Sequence, residues 1–147
     1  MKFEFNIEPV EQARPRAVRF GKGVRMYDPE KVATFKRQLG MLAKQQMLDR
    51  GLEPYDGPLE VRMEFYRPVQ ASISNKERAR RLSGAHRPIV KPDLSNYIKA
   101  TEDALNGIIW TDDNLIVTET AEKKYSDHPR IVIEVNLYEM EETDEQD

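Results

Sequence analysis

Between Lys91 and Asp113 the chain reads KPDLSNYIKATEDALNGIIWTDD, and this stretch limits the possible folds more than any other. Placed at 100° per residue, Tyr97, Ile98, Ala100, Thr101, Ala104 and Leu105 fall on one face, and Ser95, Asn96, Lys99, Glu102, Asp103 and Asn106 on the other. Such a segment must lie as a helix on a core that the rest of the chain supplies. Its limits are also written: Pro92 disfavours an earlier start, Asp93 or Ser95 can cap the first turn, and Asn106-Gly107 tolerates the left-handed stop. Ile108-Ile109-Trp110 then returns the chain to the core, and Asp112 and Asp113 follow at once. Charge therefore stands at the edge of a buried element.

The flanking sequence predicts a sheet for that helix to cover. Phe3, Phe5 and Ile7 alternate with Lys2, Glu4, Asn6 and Glu8 as in a half-buried strand. A short hairpin is expected over 17–27 around Gly21-Lys22-Gly23. Asp28-Pro29 reads as a helix start with Asp28 as cap, and Val32, Phe35, Leu39, Leu42 and Ala43 recur at helical spacing until Arg50-Gly51. Leu59, Val61, Met63 and Phe65 mark another strand. Residues 70–90 are polar and cationic, a long connection with one short exposed helix that leads straight into Lys91 and Asp93 as a flap would. A strand over 115–124, a turn at Ser126–Pro129 and a last strand with Ile131, Ile133, Val135 and Leu137 inward make a terminal β-hairpin. The fold class is α+β: a single domain, 1–138, with a mixed sheet packed with two main helices. Residues 139–147 form an acidic tail, expected to be solvated and mobile.

Composition narrows the function. The chain has 147 residues, enough for one domain with a modest core, and no cysteine, so disulfides and thiolate metal sites are excluded and any metal has hard ligands. No apolar run approaches the roughly 18 residues of a membrane span, and a cytoplasmic protein with no membrane partner is expected. Net charge is −3, yet six of the 26 acidic residues lie in 139–147; without them 20 face 23 basic residues, a balance of +3. Arg14, Arg16, Arg19, Lys22 and Arg25 gather on hairpin and loop backbone, which suits phosphate contact, although a solvated edge reads the same way. Lys31, Lys36, Arg37 and Lys44 are better read as a solvated helix face, His86 and His128 as exposed loop residues, and Trp110 as a core or dimer anchor.

Phosphodiester hydrolysis needs an activated water and charge stabilisation, which Mg²⁺ provides through oxygen ligands. Asp93 and Asp113 are suitable carboxylates from separate elements. Asp113, at the start of a strand, is the first choice of the adjacent pair and Asp112 the second, because neighbouring strand side chains alternate. Lys99 on the polar face can hold a phosphate or neutralise a leaving oxygen. Taken singly these residues have plainer readings, Asp93 as cap, Asp113 as turn residue and Lys99 as the i,i+4 partner of Asp103.

The run K-P-D-x-S-N-x-x-K-x-x-x-D-A-L-N-G, followed by W-x-D-D, resembles the signature of the RusA family of Holliday-junction resolvases. The resemblance extends through most of the chain. It implies a crossover junction endodeoxyribonuclease of a kind often found in phages and prophages: a homodimer that cuts paired strands of branched, four-way DNA with Mg²⁺, Mn²⁺ substituting. It implies catalytic roles for Asp93, Lys99 and Asp113, metal ligation by Asp93, Asp113, Asp112 and the position of Ser95, and DNA contacts from Arg14, Arg16, Arg19, Lys22, Lys91 and Asn96. Ser95 departs from the pattern, which carries aspartate there. Glu102, seven residues on and about 10 Å along the axis, is a possible compensating acid for a displaced metal. A rival expectation is a junction-binding protein that kept the fold and lost efficient metal binding through Ser95.

Overall fold

The computed structural model describes residues 1–139, so nearly all of the acidic tail lies outside the described residues. Four strands form one sheet in the order β1-β6-β4-β5: β1 (Lys2–Phe5), β4 (Leu59–Arg67), β5 (Ile116–Tyr125) and β6 (Arg130–Leu137). The remaining two, β2 (Arg16–Phe20) and β3 (Gly23–Tyr27), pair only with each other. Helices α1 (Glu30–Asp49) and α3 (Leu94–Leu105) are the main ones, and the short α2 (Asn75–Leu82) interrupts the cationic connection. This is the expected single α+β domain with a mixed sheet: β4 runs antiparallel to β6 and parallel to β5. A parallel pair cannot be closed by a tight turn, and the 68–115 crossover, with α3 inside it, makes the connection.

One face of the sheet is buried. Leu59, Val61, Met63 and Phe65 of β4 are fully buried with Phe3, Ile131, Ile133 and Val135, against Phe35, Leu39 and Ala43 of α1 and Tyr97, Ala100 and Leu105 of α3. Phe65 stacks on Tyr97 with ring centroids 5.3 Å apart, fixing the start of α3 over the end of β4. Between Leu59 and Glu60 the register with β5 slips by one residue, so Val61, Met63 and Phe65 stand beside Glu119, Ala121 and Lys123. The slip at Val117 turns Glu119 and Lys123 to the helix-covered face.

Three expectations change in detail. The terminal turn does join antiparallel β5 and β6, but β4 lies between the two arms, because β4 offers both neighbours a buried face. Asp28 is not the cap of α1. Pro29 holds that position, and the Asp28 carboxylate instead accepts from Gln12 Nε2 at 2.9 Å and Lys36 Nζ at 2.7 Å. Asp113 opens a 3-10 turn, Asp113–Leu115, instead of a strand, since the Asp112 side chain caps that turn by accepting from the Asn114 N–H at 3.0 Å. The β2–β3 hairpin has the expected place, and every residue in it is exposed.

Candidate active site

Asp93 is the residue before α3, and its backbone carbonyl accepts from the N–H groups of Asn96 and Tyr97 at 3.0 and 3.2 Å. Its carboxylate makes no capping bond, so that side chain is left for other work. The polar face of the first two turns, Ser95 and Lys99, is exposed. Lys99 does not pair with Asp103, which binds Lys36 of α1 at 2.6 Å. Two cations fasten the approach to the helix: Arg67 donates to the Lys91 carbonyl at 2.9 Å, and Lys123 Nζ to those of Val90 and Pro92 at 2.9 and 3.1 Å. The Asn96 carbonyl accepts from the Gln12 N–H at 2.8 Å, which holds the chain leading to Arg14 and Arg16 against α3. A pocket there is lined by Arg16, Lys31, Arg67, Pro92 and Tyr97, and the buried Nε of Arg67 has no partner.

The other end of α3 is acidic. Asn106 ends the helix and its side-chain oxygen accepts from the Asp113 N–H at 3.0 Å, while Gly107 takes a φ of 78° and reverses the chain. Fully buried Trp110 then donates its indole N–H to Asp113 Oδ1 at 2.6 Å. That bond orients one carboxylate oxygen and leaves the other open. Glu102 on α3 and Glu119 on β5 face each other closely enough to share a proton, within the field of Asp113. Burial, the bond to Glu119 and the charges of Glu119 and Asp113 push Glu102 from 4.5 up to about 8. Asp113 is also raised, by burial first and by Asp103, Asp112 and Glu119 after it, against the lowering effect of Trp110.

Carboxylates that hold each other's protons are short of positive charge. This donor set of hard oxygens fits a divalent cation such as Mg²⁺, although among the described residues no three acidic or histidine groups enclose a metal by themselves. Mg²⁺ does not demand that, being commonly held by one or two carboxylates with waters and substrate phosphates.

Of the residues singled out in the sequence, Asp113 and Glu102 come together, with Asp112 beside them as the cap of the 3-10 turn. Asp93 and Ser95 do not join them in one chain. Thirteen residue steps of helix lie between Asp93 and Asn106, about 20 Å. Lys91 and Asn96 lie with Asp93, whereas Arg19 and Lys22 are on the projecting hairpin. Glu119 was missed in the sequence, where it reads as one more polar position on a strand; only the register slip brings it to Glu102. Arg67 was missed as the last polar residue of an otherwise alternating strand.

The endodeoxyribonuclease RusA family model matches residues 6–136. A curated relative, the uncharacterized protein YqaN of Bacillus subtilis (strain 168), is 38% identical over 136 residues, which cover 90% of this chain and 93% of the relative. The matched span begins just after β1 and takes in all of α3, the acidic loop that follows it and most of β6, and the chain belongs to the RusA family of endodeoxyribonucleases.

Proposed function

We propose that the protein is a Mg²⁺-dependent, structure-selective endonuclease that resolves four-way DNA junctions by paired phosphodiester hydrolysis in the cytoplasm. The observation that carries this reading is the meeting of Glu102, Asp113 and Glu119 at the end of α3, in a chain of a nuclease family. One or two of these carboxylates would hold the metal together with waters and substrate phosphates, and Mn²⁺ would serve in its place. When bound, the ion supplies a water of lowered pKa and charge stabilisation on the phosphoryl oxygens.

The chain's own residues do the rest. Lys99, exposed and without an ion pair among the described residues, takes the scissile phosphate, and Asp93 faces the DNA from the start of the same helix. Arg14, Arg16, Arg19, Lys22, Lys91 and Asn96 hold the DNA backbone and its branch, with Asp112 fixing the loop that carries Asp113. Two symmetric cuts require two sites, hence a homodimer.

The test is incision of an end-labelled four-way junction and a linear duplex of the same sequence, with and without Mg²⁺. Paired nicks in the junction alone, lost in Asp113→Asn and Asp93→Asn, are expected. Tight junction binding with no nick at any Mg²⁺ or Mn²⁺ concentration would refute the enzyme and leave a binding protein.

A further inference from the structure

From Arg14 to Tyr27 every residue is exposed, and the segment holds five cations, Arg14, Arg16, Arg19, Lys22 and Arg25, with no acidic residue. None of the five has an ion pair among the described residues. Strands β2 and β3 pair only with each other, so the hairpin is a thin two-stranded ribbon. Its root is fixed to both main helices. Gln12 Nε2 donates across the two legs to the Asp28 carboxylate at 2.9 Å, and Lys36 of α1 donates to the same carboxylate at 2.7 Å. The Gln12 N–H donates to the Asn96 carbonyl in the first turn of α3 at 2.8 Å. Five residues of strand carry the tip about 17 Å from that root.

The register decides what the ribbon presents. Cross-strand partners share a face, and neighbours along a strand alternate between faces. Arg16 with Tyr27, Val18 with Arg25, and Phe20 opposite Gly23 therefore lie on one face, and Ala17 with Met26 and Arg19 with Val24 on the other. Each face mixes apolar and cationic side chains, whereas a hairpin made to lie on a core or on lipid separates them. At the tip Phe20 is 72% exposed on the first face and Val24 69% exposed on the second. The end of the ribbon is thus apolar on both sides, with Arg25 behind Phe20 and Arg19 beside Val24. Gly21, at a φ of 57°, makes the reversal without adding a side chain to the width of the tip.

An apolar edge backed by cations on both faces matches a polymer that offers flat bases and phosphates side by side. Paired duplex hides its base planes in the stack, and a branch point, where arms part, exposes them. Resting on the nuclease reading for its DNA, we infer that the hairpin is a wedge for the branch point: Phe20 stacks on an unstacked base, Val24 packs against the base on the other side, and the arginines behind them hold the flanking phosphates. The root bonds to Lys36 and Asn96 set a fixed reach between the opened step and α3, so recognition of a branch is tied to the helix that carries Lys99.

Binding measured in Ca²⁺, with a four-way junction and a linear duplex of the same sequence, keeps cutting out of the readout. Phe20→Ala should weaken junction binding by roughly 5- to 150-fold, the loss of one stacked base, and leave duplex binding, its salt slope and Tm unchanged. Phe20→Trp supplies a direct probe, because the one native tryptophan, Trp110, is fully buried. Its added emission should be quenched by the junction and left unchanged by the duplex. Junction binding that is the same in Phe20→Ala and wild type, or emission quenched equally by both DNAs, would overturn the wedge. Emission that shifts to the blue on vesicles rich in phosphatidylserine, and is unmoved by the junction, would overturn it in favour of a lipid surface. A protein that shows the stacking in Ca²⁺ and nicks nothing in Mg²⁺ keeps the wedge and defeats the nuclease reading; one that nicks junctions with Phe20 silent in both assays does the reverse.

Discussion

Replacing Glu102 by glutamine removes a carboxylate that the metal-free fold holds at a disadvantage. Its folded pKa is raised above the ordinary 4.5 to about 8, by burial and by Glu119 and Asp113. The sign follows from proton binding. Below the ordinary value both folded and unfolded chains hold the proton and nothing is lost. As the pH rises from there, the unfolded chain releases it and the folded chain keeps it, so stability falls until about pH 8 and then levels. At about 1.4 kcal/mol per pKa unit the shift sets a ceiling near 5 kcal/mol, and the partial exposure of the site reduces this to about 1–2 kcal/mol. For a chain of this size that is a rise of about 3–8 °C in Tm for Glu102→Gln at pH 8, and almost none at pH 4.5. Thermal unfolding followed by circular dichroism between pH 4.5 and 8.5 measures it. Millimolar Mg²⁺ should raise the wild-type Tm at pH 8 and raise that of the variant less. A wild-type Tm that is flat over this range and equal to that of Glu102→Gln would refute the carboxyl pairing, and equal Mg²⁺ responses would remove Glu102 from the metal site.

Other consequences are open to simple measurement. Trp110→Phe keeps the buried ring and loses the 2.6 Å bond to Asp113, which should cost about 1–3 kcal/mol in chemical denaturation; a loss below the error of the fit would mean the bond is replaced by water. Arg16→Ala, Arg19→Ala and Lys22→Ala lie in an exposed hairpin, so each should lower the slope of log K against log salt for junction binding by about one, with Tm unchanged. An unaltered slope in all three would take the hairpin off the DNA. Lys36→Met breaks the links to Asp28 and Asp103 and should destabilise the fold at pH 7. Hydrogen bonding from Lys36, ahead of the opposing burial, holds Asp28 below its ordinary 3.8, so this contribution is present above that pH and fades as pH falls through the lowered value. The gap between variant and wild type in denaturant midpoint should therefore narrow toward pH 3.

The elements that were legible are those whose signal is local. The two faces of α3, its stop at Asn106-Gly107 and the 16–27 hairpin need only neighbouring residues to specify them, and they stand where periodicity and turn chemistry put them. What distant partners decide was not legible. Asp28 has the composition of a cap, but Lys36 and Gln12 compete for its oxygens and win. No pattern within 115–137 reveals that β4 slots between the last two strands, since pairing is a choice among surfaces and all three strands alternate alike. Glu119 depends on a one-residue slip that alternation cannot signal, and alternation read through Val117 puts it on the wrong side. The candidate site divides the same way: Asp113 and Lys99 are singled out by the resemblance of their stretch to a family signature, whereas their relation to Asp93 follows from the length of the helix between them.

The place of β6 has a bearing on how the protein is made. The final described strand is interior to the sheet, between β1 and β4, and β1 has no other strand partner among the described residues. A growing chain therefore holds both halves of its core open until Arg130–Leu137 has left the ribosome. The layer beneath α3, and with it the alignment of Glu102 with Glu119 of β5, then closes in one late step. A chain that stops short of β6 therefore lacks the ordered layer on which Glu102 and Glu119 meet.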